Sequence, residues 1–454
     1  MKTNPRFRPL SAGLLACLLL VGCSRQDREL QKYADLCRRQ LGADYELMYR
    51  PGGEGAFVYP YLTPGSHSYS DVLWDWDSWL TDIALRQVLP DSAARLRALE
   101  YERGCVLNFL AYADADGYVP IGIDRNTDPR QVRPADVEHA NMHKPVLAQH
   151  AAFLTQQDGG DASWLADGFD RIAAFEDSYL TRHRHAETGL LYWQDDMAVG
   201  VDTDPAVFYR PARSCGSIFL NCLMYRELLA TSYLARCLGR PEDASRYQSA
   251  ADRLCEAVRR HCWDPRDGMY YSADLDLLPA NPRQTIFFGH PFCLHEGGPR
   301  AYACLPMRLD SWTGFMALWA GIATPEQALR MESRLRDGSS FWAPYGVRTL
   351  SPQERMYSLA PTHNPSNWNG PVWGVSNYLV FRGLVRYGLD DSARELARRT
   401  VLLFGRDLER TGTLHEFYHP DTGEGLINPG FQNWNYLVLN MISWLDTGQA
   451  VAGY

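Results

Sequence analysis

Residues 217–261, SIFLNCLMYRELLATSYLARCLGRPEDASRYQSAADRLCEAVRRH, decide the fold class. The first half, Ser217–Leu238, is apolar on nearly every side of a helical wheel, so other elements must enclose it. In Pro241–His261 the apolar residues recur at three- and four-residue spacing and leave a Glu, Arg and Asp face for water. That pattern predicts an amphipathic helix laid over the first. Further helices are predicted over Trp74–Val88, Ser92–Tyr112, Pro145–Gln156, Ala162–Tyr179, Ser311–Gly321, Pro325–Leu335, Val372–Tyr387, Asp391–Asp407 and Asn433–Thr447, and they tend to come in the same kind of pair. With one more helix near the N-terminus they make twelve. The predicted architecture is all-α, an (α/α)6 toroid of alternating inner and outer helices.

The connections 113–144, 186–212, 263–310, 338–371 and 408–432 fall on one side of the pairs and hold most of the Gly, Pro, Asn and aromatic residues. Loops that long in a compact domain usually carry function. Short β-hairpins are expected near Gly189–Gln194 and Gly268–Ala273. There is no clear internal repeat and no Pro/Gly/Ser-rich linker, so residues 41–454 read as one domain.

Lys2, Arg6 and Arg8 precede an apolar run from Leu14 to Val21, too short for a comfortable membrane span. It reads as a signal peptide over residues 1–22. Leu20-Val21-Gly22-Cys23 resembles the bacterial lipobox, which implies lipid on Cys23, and Ser24 in the next position favours the outer membrane of a bacterial envelope. Residues 23–40 read as the lipidated Cys and a polar tether leading into the first helix. The formal charge is −9, and there is no basic patch with interleaved aromatics, so nucleic acid is an unsuitable partner. Eleven Cys are present. Cys293 and Cys304 are the first pair to test for a disulfide, whereas Cys255 and Cys262, two turns apart on a helix, are badly placed to bond each other. No Cys/His spacing points to zinc.

Two acidic loops sit among aromatics: Gly200-Val201-Asp202-Thr203-Asp204-Pro205 and Leu414-His415-Glu416-Phe417-Tyr418. Paired carboxyls beside aromatic faces suit glycoside chemistry, in which one protonates a leaving oxygen, the other activates water and the rings stack on the sugar. Trp74-Asp75-Trp76-Asp77-Ser78-Trp79 opens a helix; an Asp there can simply cap it, but three Trp around two Asp favour ligand contact, with Asp77 the preferred one. The loop Phe341-Trp342-Ala343-Pro344-Tyr345-Gly346 reads either as a pocket wall or as a plug.

The Trp-Asp-Trp-Asp-Ser segment resembles the entry motif of the (α/α)6 inverting glycosidases, the trehalases and glycoside hydrolase family 63. The latter includes processing α-glucosidase I and the mannosylglycerate and glucosylglycerate hydrolases. The Asp202 loop resembles that group's acid loop. Asn367-Trp368-Asn369-Gly370-Pro371-Val372-Trp373 resembles its Trp-Arg-Gly-Pro-Ile-Trp segment, and Glu416-Phe417-Tyr418-His419-Pro420-Asp421-Thr422-Gly423 its base loop. The order is kept over residues 70 to 445. The resemblance implies Asp202 as general acid and Glu416 as general base, with Asp204 a weaker candidate that can instead cap a turn. Substrate contacts are expected from Trp74, Trp76, Asp77, Lys144, Gln149, Tyr209, Arg210, Arg213, Trp342, Tyr345, Trp368, Asn369, Gly370, Trp373 and Trp434. Ala206 and Asn369 stand where the group carries Arg; Arg210 or Arg213 can replace the first.

The implied reaction is exo-hydrolysis with inversion of a terminal α-linked sugar, an α-glucoside first, by a lipid-anchored monomer that needs no metal or cofactor. Asp202 is expected protonated in an apolar surround from Tyr209 or Trp193, and Glu416 ionised. Three other readings stay open: an inverting phosphorylase; an epimerase or lyase using His139, His143, His363 or His415; and a surface glycan-binding lipoprotein without catalysis.

Overall fold

The computed structural model describes residues 12–208, 210–277, 285–287, 290–292, 302–360 and 364–451, with the backbone alone for 12–25, 67, 285–287 and 290–292. Twelve α-helices occur among them: α1 Ala12–Asp44, α2 Asp75–Leu85, α3 Ser92–Ala111, α4 Leu147–Gln157, α5 Phe169–Arg182, α6 Ile218–Cys237, α7 Pro241–His261, α8 Met316–Ala320, α9 Pro325–Leu335, α10 Gly374–Arg386, α11 Asp390–Thr411 and α12 Val438–Thr447. The even-numbered helices form a closed inner ring: α2 meets α4, α4 meets α6, α6 meets α8, and α8 meets α10. The ring closes through α12 and its leading turn Asn433–Leu437, which touch both α10 and α2. The odd-numbered helices lie outside, α7 along α6 and α11 along α10. This is the (α/α)6 barrel.

Burial follows the alternation read from residues 217–261. Every residue of α2 is buried, whereas α9 buries only the stripe Ala328, Met331 and Leu335. Each fully buried Leu, Val or Met on such a stripe contributes about 1.5–3 kcal/mol, which fixes which face of an outer helix turns inward. A charge at Leu254, on the stripe of α7, would break that seam. Two carboxyls also enter the core. Glu227 on α6 accepts from Ala148 N (2.6 Å) and Gln149 N (2.9 Å), satisfying first-turn donors of α4, and Glu176 on α5 lies beside it. Burial pushes both carboxyls up, Glu227 to about 7.

Some boundaries differ from expectation. The sixth inner helix begins as a 3-10 turn over Asn433–Leu437, and α8 follows a similar turn over Trp312–Phe315. Val372–Trp373 is extended and pairs antiparallel with Phe417–Tyr418 before α10 starts. The expected hairpin near Gly268–Ala273 is present as Trp263–Asp264 against Met269–Tyr270, while Gly189–Gln194 contributes a single bridge, Arg184 to Leu191. The larger correction is at the N-terminus. The stretch read as a tether is helical throughout, and Tyr33, Ala34 and Cys37 are buried with Leu41 as part of α1. Tyr33 OH donates to Glu409 of α11 (2.8 Å), and Gly405 leaves room for the Tyr33 side chain, whose Cβ a Cβ at 405 would strike at 2.2 Å. The apolar stripe at 33, 34, 37 and 41 is helical in period but hidden among Lys, Arg and Asp. No helix among the described residues is long and apolar enough to cross a membrane. Cys255, Cys262 and Cys304 are free thiols; Cys293 lies outside the described residues.

Candidate active site

The inner helices present their N-terminal ends, and the loops leading into them, to a cavity of about 330 Å³. Its floor is aromatic. Trp368 and Trp373 stack 3.8 Å apart at 9°, Trp76 meets Trp434 edge-on at 5.2 Å, and Phe431 packs on Trp434 at 5.1 Å. Trp74 and Trp434 each keep a buried indole N–H with no acceptor among the described residues, donors a hydroxylated ligand can use. Asp202, Glu416, Asp77, Asp196 and Lys144 add ionisable groups to the wall.

Two local devices hold the carboxyls in place. Gly200 has φ +72°, and a Cβ there would lie 2.5 Å from Lys144 Cε, so only glycine lets the Asp202 loop pass that close. Thr203 Oγ1 then accepts from Trp368 N (2.9 Å), tying the acid loop to the Trp368 wall. On the other side, the two-residue ladder of Phe417–Tyr418 with Val372–Trp373 sets Glu416 beside Trp373. Buried Asp407 of α11 anchors that loop: its Oδ2 accepts from Tyr418 OH (3.0 Å) and lies 2.7 Å from His415 Nδ1.

Electrostatics separate the carboxyls of Glu416, Asp202, Asp77 and Asp75. Burial pushes Glu416 up to about 7. Three donors oppose that rise: Asn428 Nδ2, Ser366 Oγ (3.2 Å) and Tyr69 OH (3.3 Å). Asp202, partly exposed, is also raised by burial, and Asn364 Nδ2 donates to its Oδ2 at 3.1 Å. Asp77 is lifted to about 8 by burial and then by the Asp75 carboxylate, so it is a carboxylic acid at neutral pH. Asp75 is equally buried, yet Lys144 Nζ lies 2.9 and 3.1 Å from its two oxygens and its carboxyl is lowered. Burial thus raises both carboxyls, and Glu416 reaches the neutral range.

The sequence expectations divide clearly. Trp74, Trp76, Asp77, Lys144, Trp368, Trp373 and Trp434 line the cavity with Asp202 and Glu416. The others do not. Gln149 is locked between helices by bonds to Pro145 O (2.8 Å) and Leu223 O (3.1 Å). Arg210 pairs with Asp274 (2.7 Å), and Arg213 bonds Gln194 and Glu138 O, so neither replaces an Arg at Ala206. Trp342 sits in a hairpin under Arg399, and Tyr345 packs against Gly423 and Arg406. Asn369 is buried behind the wall, its N–H held by Asn367 Oδ1. Gly370, at φ +142°, serves to clear the Tyr357 ring, which a Cβ would meet at 2.4 Å. Trp193 is buried away from the cavity, and Tyr209 lies outside the described residues. Asp204 caps its own turn, accepting from Ala206 N at 3.0 Å.

The described histidines of the epimerase reading do not line the cavity. His139 pairs with Asp136 at the surface, His143 is buried and lowered to about 4 by burial, His415 is turned to Asp407, and His363 lies outside the described residues. Tyr69, Asn364, Ser366 and Asn428 reach the carboxyls from polar loops without any sequence signal. Asn433, read only as the start of a helix, donates from Nδ2 to Asp77 and accepts from Thr81 at 3.0 Å.

The model of a mannosylglycerate hydrolase MGH1-like glycoside hydrolase domain matches residues 70–434. Mannosylglycerate hydrolase MGH1 of Selaginella moellendorffii is 31% identical over 430 residues, covering 86% of this chain and 81% of that protein. A probable mannosyl-oligosaccharide glucosidase of Schizosaccharomyces pombe is 24% identical over 66% of this chain, which spans only 34% of its length. Among solved structures, the family 63 mannosylglycerate hydrolase of Thermus thermophilus superposes with a TM-score of 0.63 at 21% identity, over 88% of this chain and 98% of that one. The barrel, the aromatic cavity and these matches agree: the chain belongs to the MGH1-like group of glycoside hydrolase family 63 and is a glycosidase.

Proposed function

We propose that the protein is an inverting, exo-acting hydrolase of a terminal α-linked sugar, with an α-glucoside its first substrate class. Asp202 protonates the glycosidic oxygen, and Glu416 takes a proton from water on the opposite ring face. The observation that carries this reading is that two carboxyls from distant loops line one aromatic cavity, and only Glu416 is held by three hydrogen-bond donors. Those donors favour its ionised form, as a base requires, while Asp202 has the single amide of Asn364. Asp77, neutral and held by Asn433, can both give and accept hydrogen bonds to sugar hydroxyls.

The test uses leaving groups. Asp202→Asn should lose hydrolysis of an alkyl α-glycoside yet keep cleavage of the corresponding glycosyl fluoride, whose departure needs no proton. Glu416→Gln should lose both. Wild-type rates in either variant on a verified substrate would end the assignment, and retained anomeric configuration by NMR would end inversion. The similarity to the Selaginella mannosylglycerate hydrolase supports an α-mannoside as the second reading, decided by a panel of α-glucosides and α-mannosides. We also propose attachment to the bacterial outer membrane through lipid on Cys23; loss of membrane fractionation in Cys23→Ala tests it.

A further inference from the structure

The aromatic cavity has two layers. Trp76, Asp77, Trp368, Trp373, Glu416 and Trp434 are buried and form the deep one. Trp74, Ile121, Asp196, Asn364 and Asp202 are half-buried and Met197 is exposed; these form the rim. On the assignment proposed above, with Asp202 the acid and Glu416 the base, the two layers have different occupants. The reacting sugar fills the deep layer against the tryptophans. Its aglycone lies beside the acid that protonates the leaving oxygen, and so in the rim.

The chain fixes the rim in place. Asp196 and Met197 stand on a 3-10 turn, Asp196–Ala198, in the loop that carries Asp202. Asp195 Oδ1 accepts from Met197 N (2.9 Å) and from Asn141 Nδ2 (2.8 Å), which ties the turn to the segment leading into α4. Ala198 and Val199 are buried under it, while Asp196 and Met197 border the cavity. Ile121 adjoins Gly122, which pairs with Trp74 across a two-stranded ladder, so an aliphatic side chain stands near the indole. The Asp196 charge reaches the acid: after burial, it helps hold the Asp202 carboxyl up. The cation of the deep layer, Lys144, is engaged by Asp75.

We propose that Asp196 is a specificity-determining residue of the aglycone side, selecting neutral hydroxylated aglycones, a polyol or a further sugar, over anionic ones. Its carboxylate accepts hydrogen bonds from aglycone hydroxyls, and Trp74, Ile121 and Met197 offer apolar faces to the C–H surface between them. A carboxylate on the aglycone meets Asp196 as a like charge. About 5 Å apart in a half-exposed rim, that repulsion costs roughly a factor of three to ten in kcat/KM.

The experiment measures kcat/KM of the full chain on matched pairs: α-glucosylglycerol against α-glucosylglycerate, which differ by a hydroxymethyl group in place of a carboxylate, and the two α-mannosyl counterparts. Wild type should favour the neutral member. Asp196→Asn should lower the neutral-to-anionic ratio about tenfold, through loss on the neutral member and gain on the anionic one. Asp196→Lys should lower it further, and Asp196→Glu should keep it. The difference between wild type and Asp196→Asn should shrink in about 1 M sodium chloride, where charges are screened within about 3 Å. A purely structural role would instead depress both members together with the melting temperature. Preference of wild type for the anionic member, or a ratio unmoved in both Asp196→Asn and Asp196→Lys, would overturn the proposal. The glycosyl fluorides separate this inference from the reading it rests on. Turnover of a fluoride with none on either pair ends the aglycone assignment alone, and no turnover of fluorides or glycosides ends both.

Discussion

Asp75 and Asp77 lie on the first turn of the same helix, both fully enclosed, and their carboxyls move in opposite directions. Asp77 rises to about 8, whereas Asp75 is lowered because Lys144 lies against it. A helix N-terminus stabilises a carboxylate by about 0.3–1 kcal/mol, less than one pKa unit at 1.36 kcal/mol per unit. That is far too little to hold Asp77 ionised against burial. A paired buried charge and a neutral buried acid are thus built side by side, and a direct partner, rather than the helix, decides which is which.

The largest effects should come from the two carboxyls proposed for the chemistry. Glu416→Gln should lower kcat about 10³-fold, within the usual range for a lost acid–base group, without loss of melting temperature. A melting loss comparable to the activity loss would turn Glu416 into a structural residue. Next, Lys144→Met leaves Asp75 buried without its partner and should cost about 3–5 kcal/mol in urea unfolding. Asp77→Asn removes no charge at neutral pH and should leave stability nearly unchanged while weakening kcat/KM. Equal destabilisation by the two would erase the distinction between the neighbours.

The third comparison is with pH. Asp77, Glu227 and Glu416 have folded values raised to about 8, 7 and 7 above their ordinary 3.8, 4.5 and 4.5. A raised acid contributes stability that is fully present below its unfolded value and is lost as pH rises through the folded one. The melting temperature should therefore fall from about pH 5 to pH 8, and less steeply in Asp77→Asn. Activity should move the other way on its acid side, rising through about pH 7 as Glu416 ionises. The smallest effect belongs to Tyr69→Phe. Its hydroxyl favours the ionised Glu416, so its loss should move that limb upward by about half a unit to one unit. A limb that stays put would remove Tyr69 from the base's environment.

Reading the helices from sequence worked where one face or all faces were apolar, as in α6 and α7. It failed for Tyr33–Leu41, because a stripe flanked by Arg and Asp looks like a polar tether until α11 supplies the surface it packs on. The site divides in the same way. The carboxyls and the Trp residues announce themselves in short motifs that structure and spacing both require. Arg210, Arg213, Gln149 and Asn369 stood beside those motifs and were drawn in by position alone, yet the first three are spent on carbonyls or a carboxylate, and Asn369 is buried behind the wall.

By itself, the sequence determined the alternation of enclosed and amphipathic helices, hence the barrel, and placed aromatic and acidic residues in the loops of one end. Helical periodicity is local, and a residue's side of the helix follows from its neighbours three and four positions away. Which polar groups meet was decided only by the tertiary structure. Tyr69, Ser366 and Asn428 converge on Glu416 from three separate loops, and Asn433 reaches Asp77 across the ring closure. Except for Asn428, twelve positions beyond Glu416, those contacts join residues far apart in the chain, and burial sets their charge states, so no local pattern encodes them.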